Sequence, residues 1–156
     1  MTKAVTISGD PHRWPVRVYF EDTDAGGVVY HGNYLKFAER ARTELMRGAG
    51  FDHTQLAKDY GVLIVVRHCA MEFIAPARLD DALEVRSLVT TIGGASLTIR
   101  QEVFRPMPAT NGEKAGLDKL LVAVELRLAC VSTDLRPARL PPKLKHALSH
   151  TKAIER

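Results

Sequence analysis

The chain has 156 residues, 46% hydrophobic and 26% charged, a balance that fits one globular domain able to bury a core without disulfide or metal staples and that argues against extensive disorder. Its formal net charge of +4 is modest, and much of the excess sits at Arg136, Arg139, Lys143, Lys145, Lys152 and Arg156, a basic end able to meet an anion but read first as solvated surface. The longest aliphatic runs, VLIVV and LLVAV, are too short to span a bilayer and the N-terminus MTKAVTISGDPHRWP carries no apolar signal core, so a cytoplasmic protein without stable membrane insertion is expected.

In chain order, residues 1–13 read as a flexible leader, 14–150 as a single domain and 151–156 as a tail. Trp14 to Glu21 alternates and is rich in β-branched and aromatic residues, the mark of a strand. An Asp- and Gly-rich stretch breaks it. From Asn33 to Arg47 the period changes: Tyr34, Phe37, Ala38, Ala41 and Leu45 recur at three and four, which predicts an amphipathic helix stopped by Gly48 and Gly50. On its charged side Arg40 and Glu44 have pairing distance at i, i+4.

A short helical piece, His53 to Asp59, precedes a run of strands. VLIVVRHCAMEFIAPA is a long strand closed by Pro76, and LEVRSLVTTI and LTIRQEVF form a hairpin about Gly93-Gly94-Ala95-Ser96. LLVAVELRLACV places Leu120, Val122, Val124, Leu126, Leu128 and Cys130 on one face. The loop RPMPATNGEKAGLDK before it reads as a mobile surface insertion. Pro141-Pro142 introduces a short basic helix. Cys69 and Cys130 lie far apart inside apolar runs and lack a CxxC partner, so both are expected to be reduced core thiols. One long helix and mostly successive strands describe an α+β domain, an antiparallel sheet with neighbours joined by hairpins over one helix. Neither a GxGxxG nor a Walker loop is present.

The stretch EDTDAGGVVYHGNY, residues 21–34, carries the chemistry. As a calcium loop starting at Asp22 it has Gly27 at the sixth position but Gly26 at the fifth and Asn33 at the twelfth, where ligands are needed. Gly26 also breaks the DxDx(T/V) phosphoryl-transfer pattern, and Asp22, Asp24 and His31 lack a further transition-metal ligand. Aspartates and glycines alone would make a turn. A carboxylate close to the apolar Val28, Val29 and Tyr30 and to a helix start is also a candidate nucleophile or general base, with backbone N–H groups at hand for an oxyanion.

The run VRVYFEDTDAGGVVYHGNYLKFAERARTELMR, followed by FIAPARLDDALEV, resembles the hotdog-fold acyl-CoA thioesterases of the 4-hydroxybenzoyl-CoA thioesterase group, in particular the branch associated with the bacterial Tol-Pal envelope system. The likeness extends from about Trp14 to Pro142. It implies an antiparallel sheet wrapped around a central helix, two subunits joined edge to edge, active sites at their interface and no cofactor. Asp24 matches the catalytic carboxylate, as nucleophile or general base. Asp22 matches a residue that shapes the turn, and Asn33 and Tyr34 secure the helix entry. The backbone amide of His31 matches the oxyanion donor, and its imidazole is assigned a direct role. Tyr30, the Gly94 and Ala95 backbone, Arg136 and Arg139 are assigned to substrate binding, the arginines because coenzyme A carries several phosphate charges and the matching turn has none of the cationic residues some relatives use. The implied partners are an acyl-CoA substrate and a second copy, as homodimer or homotetramer, and they admit an acyl carrier protein; nucleic acid is not expected. Two alternatives stay open at this level: a hydratase on the same scaffold, and a noncatalytic acyl-chain or carrier-protein binding module.

Overall fold

The central element of the computed structural model, which describes residues 5–6, 9–107 and 117–149, is the helix α1 (Asn33–Gly48). Tyr34, Phe37, Ala38, Ala41 and Leu45 are all buried, as their spacing requires once a sheet lies against that face. Full burial of a large apolar side chain contributes about 1.5–3 kcal/mol, so this stripe, rather than helix propensity, holds α1 in place. The helix stops in a Schellman turn. Gly50, at φ +93°, donates its N–H to the Arg47 carbonyl, and the buried Phe51 donates to Met46. Glu44 pairs with Arg47 at i, i+3 rather than with the expected Arg40 at i, i+4, both being neighbours one turn away on the helix surface.

The sheet is antiparallel throughout. Its strands are β1 (Val5–Thr6), β2 (His12–Arg17), β3 (Val62–Phe73), β4 (Ala82–Ile92), β5 (Ser96–Arg105) and β6 (Lys119–Ser132), in the order β1-β4-β5-β6-β3 with β2 also on β4. Two short segments flank this frame: a helical turn, α2 (His53–Gln55), running on to Tyr60, and α3 (Pro142–Ser149). β1 lies within the stretch expected as a leader, and β2 begins at His12. β2 ends at Arg17, short of the expected Glu21, because Asp22 accepts the Tyr19 N–H and draws residues 20–22 into a single helical turn. A bulge opposite Val103 and Phe104 brings Leu121 into the core beside Val122, so Leu120 is not on the buried face assigned to it. Of the loop between β5 and β6, residues 108–116 lie outside the described residues, as do residues 150–156 of the tail.

Hairpins do not join every neighbouring pair. β3 is the far edge strand beside β6, so the chain crosses to β4 through residues 74–81. Alternation fixes which face of a strand is buried but not which strand lies beside it. The crossover is tied to the start of α1: Val29 donates its N–H to the Ala77 carbonyl at 2.9 Å, and Ala77 donates to the Tyr34 hydroxyl at 3.1 Å. As an edge, β3 is poorly covered. Its inward-facing residues Ile64, Val66, Cys69, Met71 and Phe73 oppose buried positions of β6, yet Val66 is 50% and Phe73 52% exposed. Cys69 is therefore an exposed thiol and not the core residue expected, whereas Cys130 is buried.

Candidate active site

Residues 23–29 form a tight hairpin. Thr23 pairs with Val29, the Asp24 N–H donates to the Val28 carbonyl at 2.9 Å, and the Gly27 N–H donates back to the Asp24 carbonyl at 3.0 Å. Gly27 has φ +77°, a conformation that L side chains rarely adopt. The Gly26 N–H donates to Asp24 Oδ1 at 2.8 Å, and a Cβ at position 26 would lie 3.2 Å from that oxygen. The two glycines thus let the hairpin close around one carboxylate. Asp24 is exposed, and among the described residues its Oδ2 has no partner.

Asp22 is used differently. It is buried, its Oδ2 accepts the Tyr19 N–H at 2.8 Å, and its Oδ1 accepts the Asn33 side-chain amide at 2.9 Å. Its backbone carbonyl accepts the Tyr30 N–H at 2.8 Å. Asn33 opens α1, so Asp22 joins the hairpin to the helix start. The carboxylate is committed to structure, as the turn-shaping role implies.

Between hairpin and helix lie His31 and Gly32. Among the described residues, neither backbone N–H has an acceptor, and both stand just before the first turn of α1, where the aligned peptide dipoles favour negative charge. The His31 ring is exposed, 4.3 Å from that of Tyr30 and 6.4 Å, edge-on, from that of Phe73. Phe73 also meets Tyr34 at 5.9 Å, so the end of β3 supplies an aromatic wall that the sequence pattern did not single out. Burial raises the Tyr34 phenol pKa, with the Ala77 hydrogen bond acting in the opposite direction.

The remaining assigned residues form a second group. The Gly94 carbonyl accepts the Leu140 N–H at 2.9 Å and the Ala95 carbonyl accepts the Cys130 N–H at 2.8 Å, while Arg136 and Arg139 lie exposed on the segment that follows β6. This group is at the Ile92 end of β4, and the crossover beside Asp24 leads into its Ala82 end. Over 11 residues at about 3.3 Å each, the strand separates the two groups by roughly 30 Å. Within one chain Asp24, Tyr30 and His31 therefore share the segment that runs from the hairpin to the start of α1, and Gly94, Ala95, Arg136 and Arg139 lie apart from it.

A further polar link crosses the core. Arg42 Nη1 donates to Gln101 Oε1 at 2.9 Å, and the fully buried Gln101 amide donates to the Ala38 carbonyl at 2.8 Å and to Ser87 Oγ at 2.9 Å. Burial lowers the Arg42 pKa from its usual value.

Residues 26–110 match the Thioesterase superfamily. Acyl-CoA thioester hydrolase YbgC of Escherichia coli O6:H1 is 44% identical over 133 residues, covering 85% of this chain and 91% of that protein. A crystal structure of a probable thioesterase from Bartonella henselae has a TM-score of 0.73 at 34% identity, covering 84% of this chain and 99% of the other. A variant of 4-hydroxybenzoyl-CoA thioesterase complexed with 4-hydroxybenzoyl-CoA superposes with a TM-score of 0.80, covering 90% and 100%; at 19% identity this likeness speaks for the hotdog fold alone. The chain belongs to the thioesterase superfamily, has its hotdog fold, and is an acyl-CoA thioester hydrolase.

Proposed function

We propose that Asp24 is the reacting carboxylate of this hydrolase and that the His31 N–H holds the carbonyl oxygen of the thioester. The observation that carries this reading is that, among the described residues, Asp24 Oδ2 is unpartnered on a hairpin that runs directly into two unpartnered N–H groups at the start of α1. Hydrolysis needs an attacking oxygen, a donor for the charge that develops on the carbonyl oxygen, and a leaving group. The thiol of coenzyme A, far more acidic than an alcohol, leaves as a thiolate without a strong acid. Oδ2 either attacks the carbonyl carbon, giving a mixed anhydride that water opens, or takes a proton from the water that attacks. In both routes the C–S bond breaks with its electron pair on sulfur, and free acid and coenzyme A result. The N–H donor stabilises the oxyanion, and loss of one such donor typically costs a hundredfold or more in rate. The exposed His31 imidazole, beside Tyr30 and Phe73, is assigned to hydrogen-bond the carbonyl or orient water.

The second group of residues is supplied by a second copy. Among the described residues β3 has an unpaired edge and an exposed apolar inner face, the features that natural sheets usually cover. It starts at Val62, opposite Ser132 and close to the segment bearing Arg136, and ends at Phe73 beside His31. Antiparallel pairing of two β3 edges places the start of one against the end of the other. Gly94, Ala95, Arg136 and Arg139 of the partner subunit then approach Asp24, Tyr30 and His31, with the arginines available for the phosphates of coenzyme A. A homodimer is the smallest active unit on this reading, and a homotetramer would pair two of them. An acyl carrier protein presents the same pantetheine thioester. The exposed, unpaired Cys69 supports work in a reducing compartment such as the cytoplasm, and the resemblance supports a place beside the Tol-Pal system.

Free-thiol release from acetyl-, medium-chain, long-chain and aromatic acyl-CoAs tests the site. Wild type is expected to cleave at least one of them, and Asp24→Asn is expected to lower kcat by a hundredfold or more with little change in KM. An Asp24→Asn enzyme as fast as wild type removes Asp24 from the chemistry.

A further inference from the structure

The hairpin that carries Asp24 is also part of a small ladder of three chain segments. Thr23 pairs with Val29, Val28 pairs with Arg78 on the crossover between β3 and β4, and the Val29 N–H donates to the Ala77 carbonyl at 2.9 Å. Directly opposed residues of neighbouring strands point to the same side, and successive residues to opposite sides. One side of the ladder therefore holds Val29 and Ala77, both buried. The other holds Asp24, Val28 and Arg78 in a row, with Asp24 and Arg78 exposed. The Asp24 N–H, which donates to the Val28 carbonyl at 2.9 Å, fixes that register. Two strand spacings of about 4.8 Å put the Arg78 Cα roughly 10 Å from that of Asp24, across one valine.

The Arg78 side chain takes no part in holding this arrangement. Its backbone N–H donates to Asp81 Oδ2 at 2.9 Å, but among the described residues its guanidinium has neither an ion pair within 4.0 Å nor a hydrogen bond. Two other arginines at the same turn are engaged: Arg17 donates to the Asp80 carbonyl at 2.8 Å, and Arg105 pairs with Asp81 at 3.0 Å. A free guanidinium in line with the reacting carboxylate calls for a negative group that arrives with the substrate. The rings of Tyr30, His31 and Phe73 offer the acyl group an aromatic surface. The negative charge of an acyl-CoA lies in its other half, on phosphates that the long pantetheine arm holds away from the thioester.

We infer that Arg78 holds a phosphate of coenzyme A, with the pantetheine arm laid over Val28 from Asp24 toward the crossover, an assignment that rests on Asp24 as the reacting carboxylate. It needs only one chain, because the ladder sets Arg78 and Asp24 on one face whatever lies beside β3. The subunit that supplies the carboxylate then also supplies a cation for the same substrate molecule. The planar guanidinium fork matches two phosphate oxygens at once, which a lysine ammonium does not.

Thiol release from one acyl group carried on coenzyme A and on pantetheine tests the assignment, since the pantetheine thioester has no phosphates. Arg78→Ala keeps the backbone hydrogen bond to Asp81 and removes no side-chain contact among the described residues. It is expected to raise KM for the acyl-CoA roughly tenfold or more at nearly constant kcat, and to leave kcat/KM for the acyl-pantetheine at the wild-type value. Arg78→Lys, which keeps the charge and loses the fork, should fall between. Added salt should raise the acyl-CoA KM of wild type more steeply than that of Arg78→Ala. An unchanged KM for the acyl-CoA overturns the inference. An equal loss on both substrates overturns it too, because the contact would then be to the thioester or the acyl group. The reaction centre is judged apart from this: a loss of kcat in Asp24→Asn beside an unchanged KM in Arg78→Ala removes only the phosphate contact, whereas an Asp24→Asn enzyme as fast as wild type removes the carboxylate on which the assignment rests.

Discussion

Asp22 and Asp24 share one functional group and stand two residues apart, yet the chain spends them on opposite tasks. Burial and three hydrogen bonds to the residue commit Asp22 to joining the hairpin to α1, whereas Asp24 is exposed and keeps one oxygen unpartnered. Asp22→Ala would strand the Tyr19 N–H and the Asn33 amide; an unsatisfied buried group costs about 1–3 kcal/mol. Thermal denaturation should show that loss, and thiol release should show a lower kcat because the helix start is no longer held against the hairpin. An unchanged melting temperature contradicts the structural role. Both aspartates and His31 were legible as a motif; the resemblance implied that Asp22 shapes the turn, which its hydrogen bonds show, and assigned the chemistry to Asp24 and His31, which the thiol-release assay tests. Phe73 was not legible as a neighbour of His31, nor Arg42 as part of a buried polar link. Phe73 reads as one more strand residue until the crossover places it beside His31, and Arg42 as one more charge on a helix until Gln101 is seen beneath it.

At the scale of elements, the helix was the most legible part, because five apolar residues at one period can be buried together in only one way. The extent of each strand was also legible, from alternation closed by proline or glycine, but the place of β3 was not. Its neighbour β6 begins more than forty residues later, and no local pattern encodes that pairing. The crossover that results depends on Tyr34, whose hydroxyl receives the buried Ala77 N–H. Tyr34→Phe should cost about 1–3 kcal/mol in denaturant unfolding at neutral pH. The alkaline limb gives a second readout. The native state holds the phenol proton more tightly than the unfolded chain, so the tyrosine's contribution is complete below its ordinary pKa of 10.0 and declines as pH rises above it. Tyr34→Phe should make that decline shallower, and an equally steep decline would assign it to other groups.

For the whole molecule, the fold class was legible and the arrangement of the site was not. Seven residues were assigned to one reaction, and one chain places them in two groups at opposite ends of β4. The exposed inner face of β3 supports the proposed reason: if a second copy continues the sheet there, the distance that separates the groups within a chain is closed between chains. Cys69 looked like a core residue because the apolar alternation of an exposed edge strand is the same as that of a buried one.

The central claim, a site completed by a second subunit, is tested most directly by mixing two defective variants. Asp24→Asn lacks the reacting carboxylate, and Arg136→Glu/Arg139→Glu lacks the cationic rim. Each alone is expected to release thiol at no more than a few percent of the wild-type rate. After exchange of subunits, every mixed dimer holds one site built from the intact Asp24 of one chain and the intact arginines of the other, so activity should return toward the fraction of such sites. No recovery in demonstrably mixed dimers, or an arginine variant as active as wild type, would contradict the account.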